Sequence, residues 1–426
     1  MEKKELFKYL IREFHESALP ELNTRDLTVP DTRKIITLVG SRRSGKTFYF
    51  YQLIKEFLKK APKERVIYIN FEDDRILPLD FKELDGIFEA YYELYPENKD
   101  KEIYVFFDEL QNIKSWELYV RRIYDKEKVR LFVTGSSSKL LSREIATSLR
   151  GRTLTLYVFP LSFSEFLKFN DIKIDKNTFY SKERFKIKKL FEKYLILGGF
   201  PEVALEKNNL EHQILSSYYE IMIYKDIVER FSVRNTNLLK SLGKFLMTNI
   251  SSQFSVNAYY NYLKENIAVS KETVFEYLSY LEEANLVFFV SLFDYSFKRQ
   301  QANPKKVYCI DNGLRNVVAF IFSKDEGKLA ENLVFIELKR RGKEIYYWKN
   351  KGEVDFVIKN KNQKLTAINV SYTDRIGERE IKTLLEFKEK FKSKVEELIL
   401  LTKDTEKLEN IRYIPLWKWL LEDQKK

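Results

Sequence analysis

Eight consecutive residues constrain this chain more than any others: Gly40-Ser41-Arg42-Arg43-Ser44-Gly45-Lys46-Thr47 fits the pattern G-x-x-x-x-G-K-[ST] without departure. An apolar run at 35–39 precedes them, and Phe50, Ile54, Phe57 and Leu58 follow at helical spacing. A buried strand must therefore turn sharply into an amphipathic helix. The glycines let the backbone curl until its N–H groups converge on phosphate oxygens, and the helix N-terminus adds favourable partial charge. The stretch from Gly40 through Phe48 is read as a site for ATP, with Lys46 bridging the β- and γ-phosphates and the Thr47 hydroxyl on Mg²⁺. The plain alternative is a chance match in a glycine turn, against which the flanking elements and the next motif both weigh.

That next motif is Ile103-Tyr-Val-Phe-Phe107-Asp108-Glu109, an apolar run ending in paired carboxylates. After a phosphate loop, Asp108 is placed to hold the Mg²⁺ hydration shell and Glu109 to polarise an attacking water. A further run at 131–134 leads into Gly135-Ser136-Ser137-Ser138. Thr134 or Ser136 is there either to sense a γ-phosphate or as part of a serine-rich turn, and the sequence leaves both open. Beyond it lie Arg143, Arg150 and Arg152. One of them, with Arg150 taken as the catalytic candidate, would serve as an arginine finger in a neighbouring subunit; for each, an exposed basic segment is the alternative.

From 34 to 166, short apolar runs at 35–39, 66–71, 103–107, 131–134 and 155–159 alternate with helical patterns. This is the pattern of a mainly parallel α/β sheet, its strands buried on both faces. Ahead of it, Leu6, Leu10 and Phe14 mark an amphipathic helix, followed by a polar stretch holding Pro20 and Pro30. With 426 residues, about three folding units are expected. A single cysteine, Cys309, excludes an internal disulfide or a cysteine-rich zinc site, and His15 and His212 match no metal-binding spacing. No apolar run approaches the ~18 residues that span a bilayer, and the N-terminus leads into no cleavable apolar segment, so a cytoplasmic protein is expected. The 75 Lys+Arg exceed the 63 Asp+Glu by 12, which hints at a polyanionic partner without locating it.

The motifs together resemble an AAA-type ATPase of an archaeal and bacterial group that carries a second, originally uncharacterised C-terminal domain. The resemblance rests on Gly40 to Thr47, Phe107-Asp108-Glu109-Leu110-Gln111, Thr134-Gly-Ser-Ser and Leu149-Arg-Gly-Arg152. It continues through Phe159-Pro-Leu-Ser-Phe-Ser-Glu-Phe166, Gly198-Gly-Phe-Pro-Glu202 and Asn303-Pro-Lys-Lys-Val-Tyr308. It implies an ATPase core over 1–165, a helical lid over 166–235, a winged-helix module over 236–300, and a small α/β domain similar to PD-(D/E)XK nucleases over 301–426. It also implies ATP dependence and a role on DNA.

Physical reading of the two C-terminal modules divides them. In 236–295, Leu238, Leu242, Phe245 and Leu246 form one apolar face, and Ser270 can cap a helix that buries Val274, Tyr277, Leu278 and Leu281. That expected recognition helix also carries Lys271, Glu272, Glu276, Glu282 and Glu283, and its carboxylates oppose phosphate contact. Lys298, Arg299, Lys305 and Lys306 are the better candidates for a DNA backbone, the alternative being a packing or oligomerisation module. In the tail, a helix is expected around 330–340 and strands near 345–348, 354–358 and 365–372. Glu331 and Asp355 take two places of a nuclease centre, but the third reads Asn369-Val-Ser371, with neither carboxylate nor lysine, so efficient cleavage is not expected.

The sequence therefore favours an Mg²⁺-dependent ATPase acting on branched or duplex DNA, and a homo-oligomer if the arginine finger works in trans. The rivals are a nucleotide-switched regulator or scaffold that binds a protein partner, and an active nuclease using Glu331 and Asp355.

Overall fold

The computed structural model describes residues 3–135, 149, 151–175, 178–320 and 325–422, in two compact units, Met1–Val158 and Phe159–Lys426. In the first unit, strands β1 (Ile35–Val39), β2 (Val66–Asn70), β3 (Ile103–Asp108), β4 (Val129–Gly135) and β5 (Thr153–Tyr157) form one sheet in the order β2-β3-β4-β1-β5. Every pairing is parallel. Because successive side chains point to opposite faces, each central strand feeds two cores. Ile35, Val39, Val105 and Phe107 pack against helices Lys3–Glu16, Asp85–Leu94 and Trp116–Lys126, through residues such as Phe7, Ile87, Trp116 and Val120. Ile36, Leu38, Phe106 and Phe132 pack on the other side against Phe50, Leu53 and Ile54 of helix Lys46–Phe57.

One sequence expectation shifts here. The fifth strand begins at Thr153 and is only half-buried, because it lies at the sheet edge and not between two neighbours. The polar stretch after the first helix runs along helix Lys46–Phe57, held by Lys55 Nζ to Pro20 O (2.6 Å), Tyr49 Oη to Leu27 O (2.8 Å) and a two-way pairing of Gln52 with the Arg25 backbone.

The second unit opens with helices Phe163–Phe169, Glu183–Leu197, Pro201–Leu205 and Glu211–Ile221, the last continuing as a π-helix to Glu229. Ser162 starts the first with a complete capping box to Glu165. The Gly198-Gly199 break is fixed by Asp311, whose Oδ2 accepts the Gly199 N–H (2.7 Å) while Oδ1 caps helix Asn312–Val318 through Leu314 N–H (3.0 Å). Helices Thr236–Thr248, Val256–Lys264 and Lys271–Glu283 follow, with Ser270 capping the third as expected.

They accompany a three-stranded antiparallel sheet, β6 (Ser252–Phe254), β7 (Val287–Val290) and β8 (Lys305–Cys309), ordered β6-β8-β7. The central place of β8 corrects one reading. Paired on both sides, it buries Lys306, which the sequence presents as a surface contact for DNA. Past helix Glu326–Arg340 comes a six-stranded sheet made of β9 (Ile345–Lys349), β10 (Glu353–Lys359), β11 (Leu365–Ser371), β12 (Val395–Thr402), β13 (Lys407–Leu408) and β14 (Arg412–Pro415). Its order is β13-β14-β12-β11-β10-β9, with helix Glu378–Phe391 packed through Leu384 and Phe387 on one face. Among the described residues, no helix is long and apolar enough to cross a membrane.

Candidate functional site

The phosphate loop leaves β1 at Val39 and enters its helix at Lys46. Gly40 is required by close approach, since a Cβ there would stand 2.2 Å from the Val158 carbonyl oxygen. Gly45 lies in the left-handed region at φ +94°, where a side chain costs energy. Arg43 has φ +98° without being glycine, so the loop holds a strained residue at its apex. Arg25 Nη1 donates to the Ser44 carbonyl (2.7 Å), tying the loop to the N-terminal stretch. The Oγ atoms of Ser41 and Ser44 are buried and, among the described residues, have no hydrogen-bond partner. Unpaired buried hydroxyls are costly and rare, and here they line a cradle shaped for an anion. The loop residues thus fit a bound polyphosphate.

Lys46 is 5% exposed. Its Nζ donates to the carbonyls of Gly40 and Ser41 (3.2 Å each) and lies 3.9 Å from Glu109 Oε1. Two neutral acceptors and one loose carboxylate are modest compensation for a buried ammonium. Phe48, in the first turn of the helix, is 57% exposed with its ring edge-on to Tyr51. Arg42 pairs with Glu72 (2.9 Å).

The sheet order brings the second and third motifs beside the first, because β4 lies between β1 and β3. Thr134, at the end of β4, donates its hydroxyl proton to Asp108 Oδ1 and accepts the Glu109 N–H (2.9 Å). Tyr68 on β2 donates to Asp108 Oδ2 (3.2 Å), a contact that sequence reasoning missed. Only the alternation along β2 could have pointed to it. Burial first, then the Glu109 charge, pushes the Asp108 carboxyl above its ordinary range, while hydrogen bonds from Thr134 and Thr47 and the Lys46 charge pull it back. Glu109 adopts the left-handed conformation (φ +52°), and Gln111 Nε2 donates to its Oε2 at 2.5 Å. Thr47, Asp108, Glu109 and Lys46 therefore converge at one end of the sheet, a donor set of hydroxyl and carboxylate oxygens that suits Mg²⁺. Arg152 is engaged elsewhere, with Asp125 (3.0 and 3.2 Å). Ser136, Arg143 and Arg150 lie outside the described residues.

A second constellation forms in the other unit. Glu331 and Asp355 come together as the resemblance implied, but around Lys306. Its Nζ lies 2.6 Å from Glu331 Oε1, 2.8 Å from Glu353 Oε1 and 3.2 Å from Asp355 Oδ1. Tyr308 donates to Glu331 Oε1 (2.7 Å), and Gln253 Nε2 to Glu353 Oε2 (2.7 Å). Burial alone would lower the Lys306 pKa, yet the surrounding carboxylates outweigh it and hold the ammonium charged. Burial and the nearby Asp355 push Glu331 up to about 8. Asn369 supplies no open oxygen: its Oδ1 accepts the Asp355 N–H (3.0 Å) and its amide donates to Glu380 Oε2 (3.0 Å). Sequence reasoning also missed Glu353 and Lys306 as members of this cluster. Their two-residue spacing from Asp355 and Tyr308, on β10 and β8, was the available signal.

A family described as an AAA domain matches residues 32–167, and two domains of unknown function, DUF8612 and DUF4143, match 188–325 and 326–419. Uncharacterized protein MJ1544 of Methanocaldococcus jannaschii is 35% identical over 439 aligned residues, covering 99% of this chain and 96% of that protein. An uncharacterized protein of Haemophilus influenzae is 30% identical, covering 92% and 95% respectively. Among solved structures, the Walker-type ATPase PABY2304 of Pyrococcus abyssi is similar at 15% identity and TM-score 0.43, covering 75% of this chain and 96% of that one.

Proposed function

The chain belongs to the family of the Methanocaldococcus jannaschii and Haemophilus influenzae relatives and matches an AAA domain over residues 32–167, and from that premise we propose that it is an Mg²⁺-dependent ATPase acting on DNA through its second unit. The observation that carries the reading is the meeting of Lys46, Asp108, Glu109 and Thr134 at one end of the parallel sheet.

Lys46 exchanges the Gly40 and Ser41 carbonyls for the β- and γ-phosphates, which are better partners for an ammonium. Ser41 and Ser44 gain the acceptors their hydroxyls lack. Bound Mg²⁺, held through Thr47 and Asp108, would neutralise charge developing on the transferred phosphoryl group. Glu109 takes a proton from the attacking water at Oε1, while Gln111 holds Oε2 and fixes the carboxylate plane. Thr134 touches both acidic residues, so any shift of β4 reaches Asp108 and Glu109 together. Arg150 would act on the γ-phosphate of a neighbouring subunit, which makes a homo-oligomer the working form.

In the second unit we assign 166–235 as lid, 236–300 as winged helix and 301–426 as a nuclease-like domain that does not cut. Support for the last is Lys306, a tethered cation among the carboxylates that a nuclease would offer to a metal. A protein partner remains the second reading, favoured by the exposed Glu272 and Glu276 on helix Lys271–Glu283. ATP turnover measured with single-stranded, duplex and four-way-junction DNA across salt separates the two. DNA stimulation that fades with salt supports the DNA role, whereas turnover indifferent to every DNA at low salt favours the regulator.

A further inference from the structure

Past β7, the chain crosses to the six-stranded sheet, where the Phe293 N–H bonds the Tyr347 carbonyl (2.6 Å). Phe293 is buried against Phe391 and Trp348, with ring centroids of Phe293 and Phe391 5.5 Å apart. The next side chains turn outward. Tyr295 is 67% exposed and Phe297 70% exposed, on either side of Ser296, which caps the short helix Phe297–Ala302. Together with the end of helix Glu378–Phe391, this segment bounds a cleft of about 300 Å³.

Its walls mix aromatic faces with cations. Lys390 Nζ lies 5.3 Å from the Trp348 ring centre, and Lys394 Nζ lies 4.6 Å from that of Tyr295, also donating to its hydroxyl (3.1 Å). Arg299 projects from the opposite wall, its side chain 69% exposed and paired with Asp294 (3.1 Å). Three cations thus face one carboxylate, and two of them rest on π-faces. Exposed cation–π contacts are weak, so phosphate oxygens can displace them. The freed ring of Tyr295 then presents a flat face to a base, and every base has a face to stack. Duplex DNA hides those faces in its own stack. The acidic helix Lys271–Glu283 offers no comparable surface, and the buried Lys306 offers none at all.

We propose that this cleft binds single-stranded DNA, with Tyr295 stacking on a base and Arg299, Lys390 and Lys394 pairing with phosphates. The proposal rests on the reading that the second unit engages DNA and gives that engagement a place and a strand state.

The test is fluorescence anisotropy of the full chain with an oligothymidine of about 12 nucleotides, its duplex and the matching oligouridine. Tyr295→Ala should weaken oligothymidine binding about tenfold or more, while Tyr295→Phe keeps it. The Lys390→Gln/Lys394→Gln variant should lower the slope of log affinity against log salt by about 0.7 for each phosphate that is no longer neutralised. Unchanged thermal unfolding of these surface variants shows that the weakening is local. Wild-type affinity in Tyr295→Ala and the double lysine variant overturns the proposal. So does a wild-type chain that binds duplex but not single strands, which leaves the DNA reading intact; tighter binding of oligouridine overturns the assignment to DNA. No affinity for any DNA at low salt removes both.

Discussion

Two buried lysines, one in each unit, sit in opposite electrostatic circumstances. Lys46 is held by two carbonyls at 3.2 Å and one carboxylate at 3.9 Å, beside serine hydroxyls with no partner among the described residues. Lys306 is surrounded by three carboxylates within 3.2 Å, themselves bonded by Tyr308, Gln253 and the Val370 N–H. A poorly compensated charge on a glycine-rich loop is available to a ligand. A saturated one between two sheets is already committed to the fold. Burial alone does not separate a lysine open to a ligand from one bound into the fold; the supply of acceptors does.

Breaking the saturated site should give the largest effect. Lys306→Met leaves the cluster of carboxylates without its cation and should destabilise the second unit by about 3–5 kcal/mol, read as a lower urea midpoint. Combining it with Glu331→Gln should cost less than the sum of the two changes, because both act on the same Lys306–Glu331 contact, which can be lost only once. A full additive loss would mean that the cluster is not one network.

A pH series sharpens the same contrast. Burial and the nearby Asp355 push Glu331 up to about 8, above the ordinary glutamate value of 4.5, so the folded chain holds a proton that the unfolded chain releases. This contribution is complete below the unfolded value and is lost as pH rises through the folded one. The urea midpoint of the second unit should therefore fall between about pH 5 and about pH 8, and Glu331→Gln should flatten that fall. A midpoint that rises over this range in the wild type contradicts the assignment.

The smallest effect is expected at Tyr68. Tyr68→Phe removes one hydrogen bond to Asp108 and keeps the packing of the ring, so stability should drop by about 1 kcal/mol or less, with turnover reduced only a few-fold. A collapse of turnover would promote Tyr68 from a positioning residue to a catalytic one.

The first unit was more legible in the sequence than the second, for physical reasons. The phosphate loop is contiguous, and its glycines answer to local backbone demands, as the Gly40 approach to Val158 and the conformation of Gly45 demonstrate. Thr134 was narrowed to a choice with Ser136, because only the sheet order places β4 between the two acidic and phosphate-binding strands. Glu331 and Asp355 were grouped through the resemblance to a nuclease fold, and the structure brings both to Lys306. Lys306 was misread as a surface cation, since in sequence Lys305-Lys306 looks like any basic pair. Its burial depends on β8 taking the middle of a sheet and on carboxylates from a distant helix and strand. Tyr295 and Phe297 gave no sequence sign of exposure, because an aromatic two residues beyond a buried Phe293 reads as more core.

The central claim is that Lys46 does chemistry and Lys306 does not, and steady-state ATP hydrolysis by wild type and Lys46→Ala tests it most directly. The account predicts turnover reduced by about a hundredfold or more in Lys46→Ala, with thermal unfolding close to wild type because that lysine has few fixed partners to lose. Wild-type turnover in Lys46→Ala would contradict it.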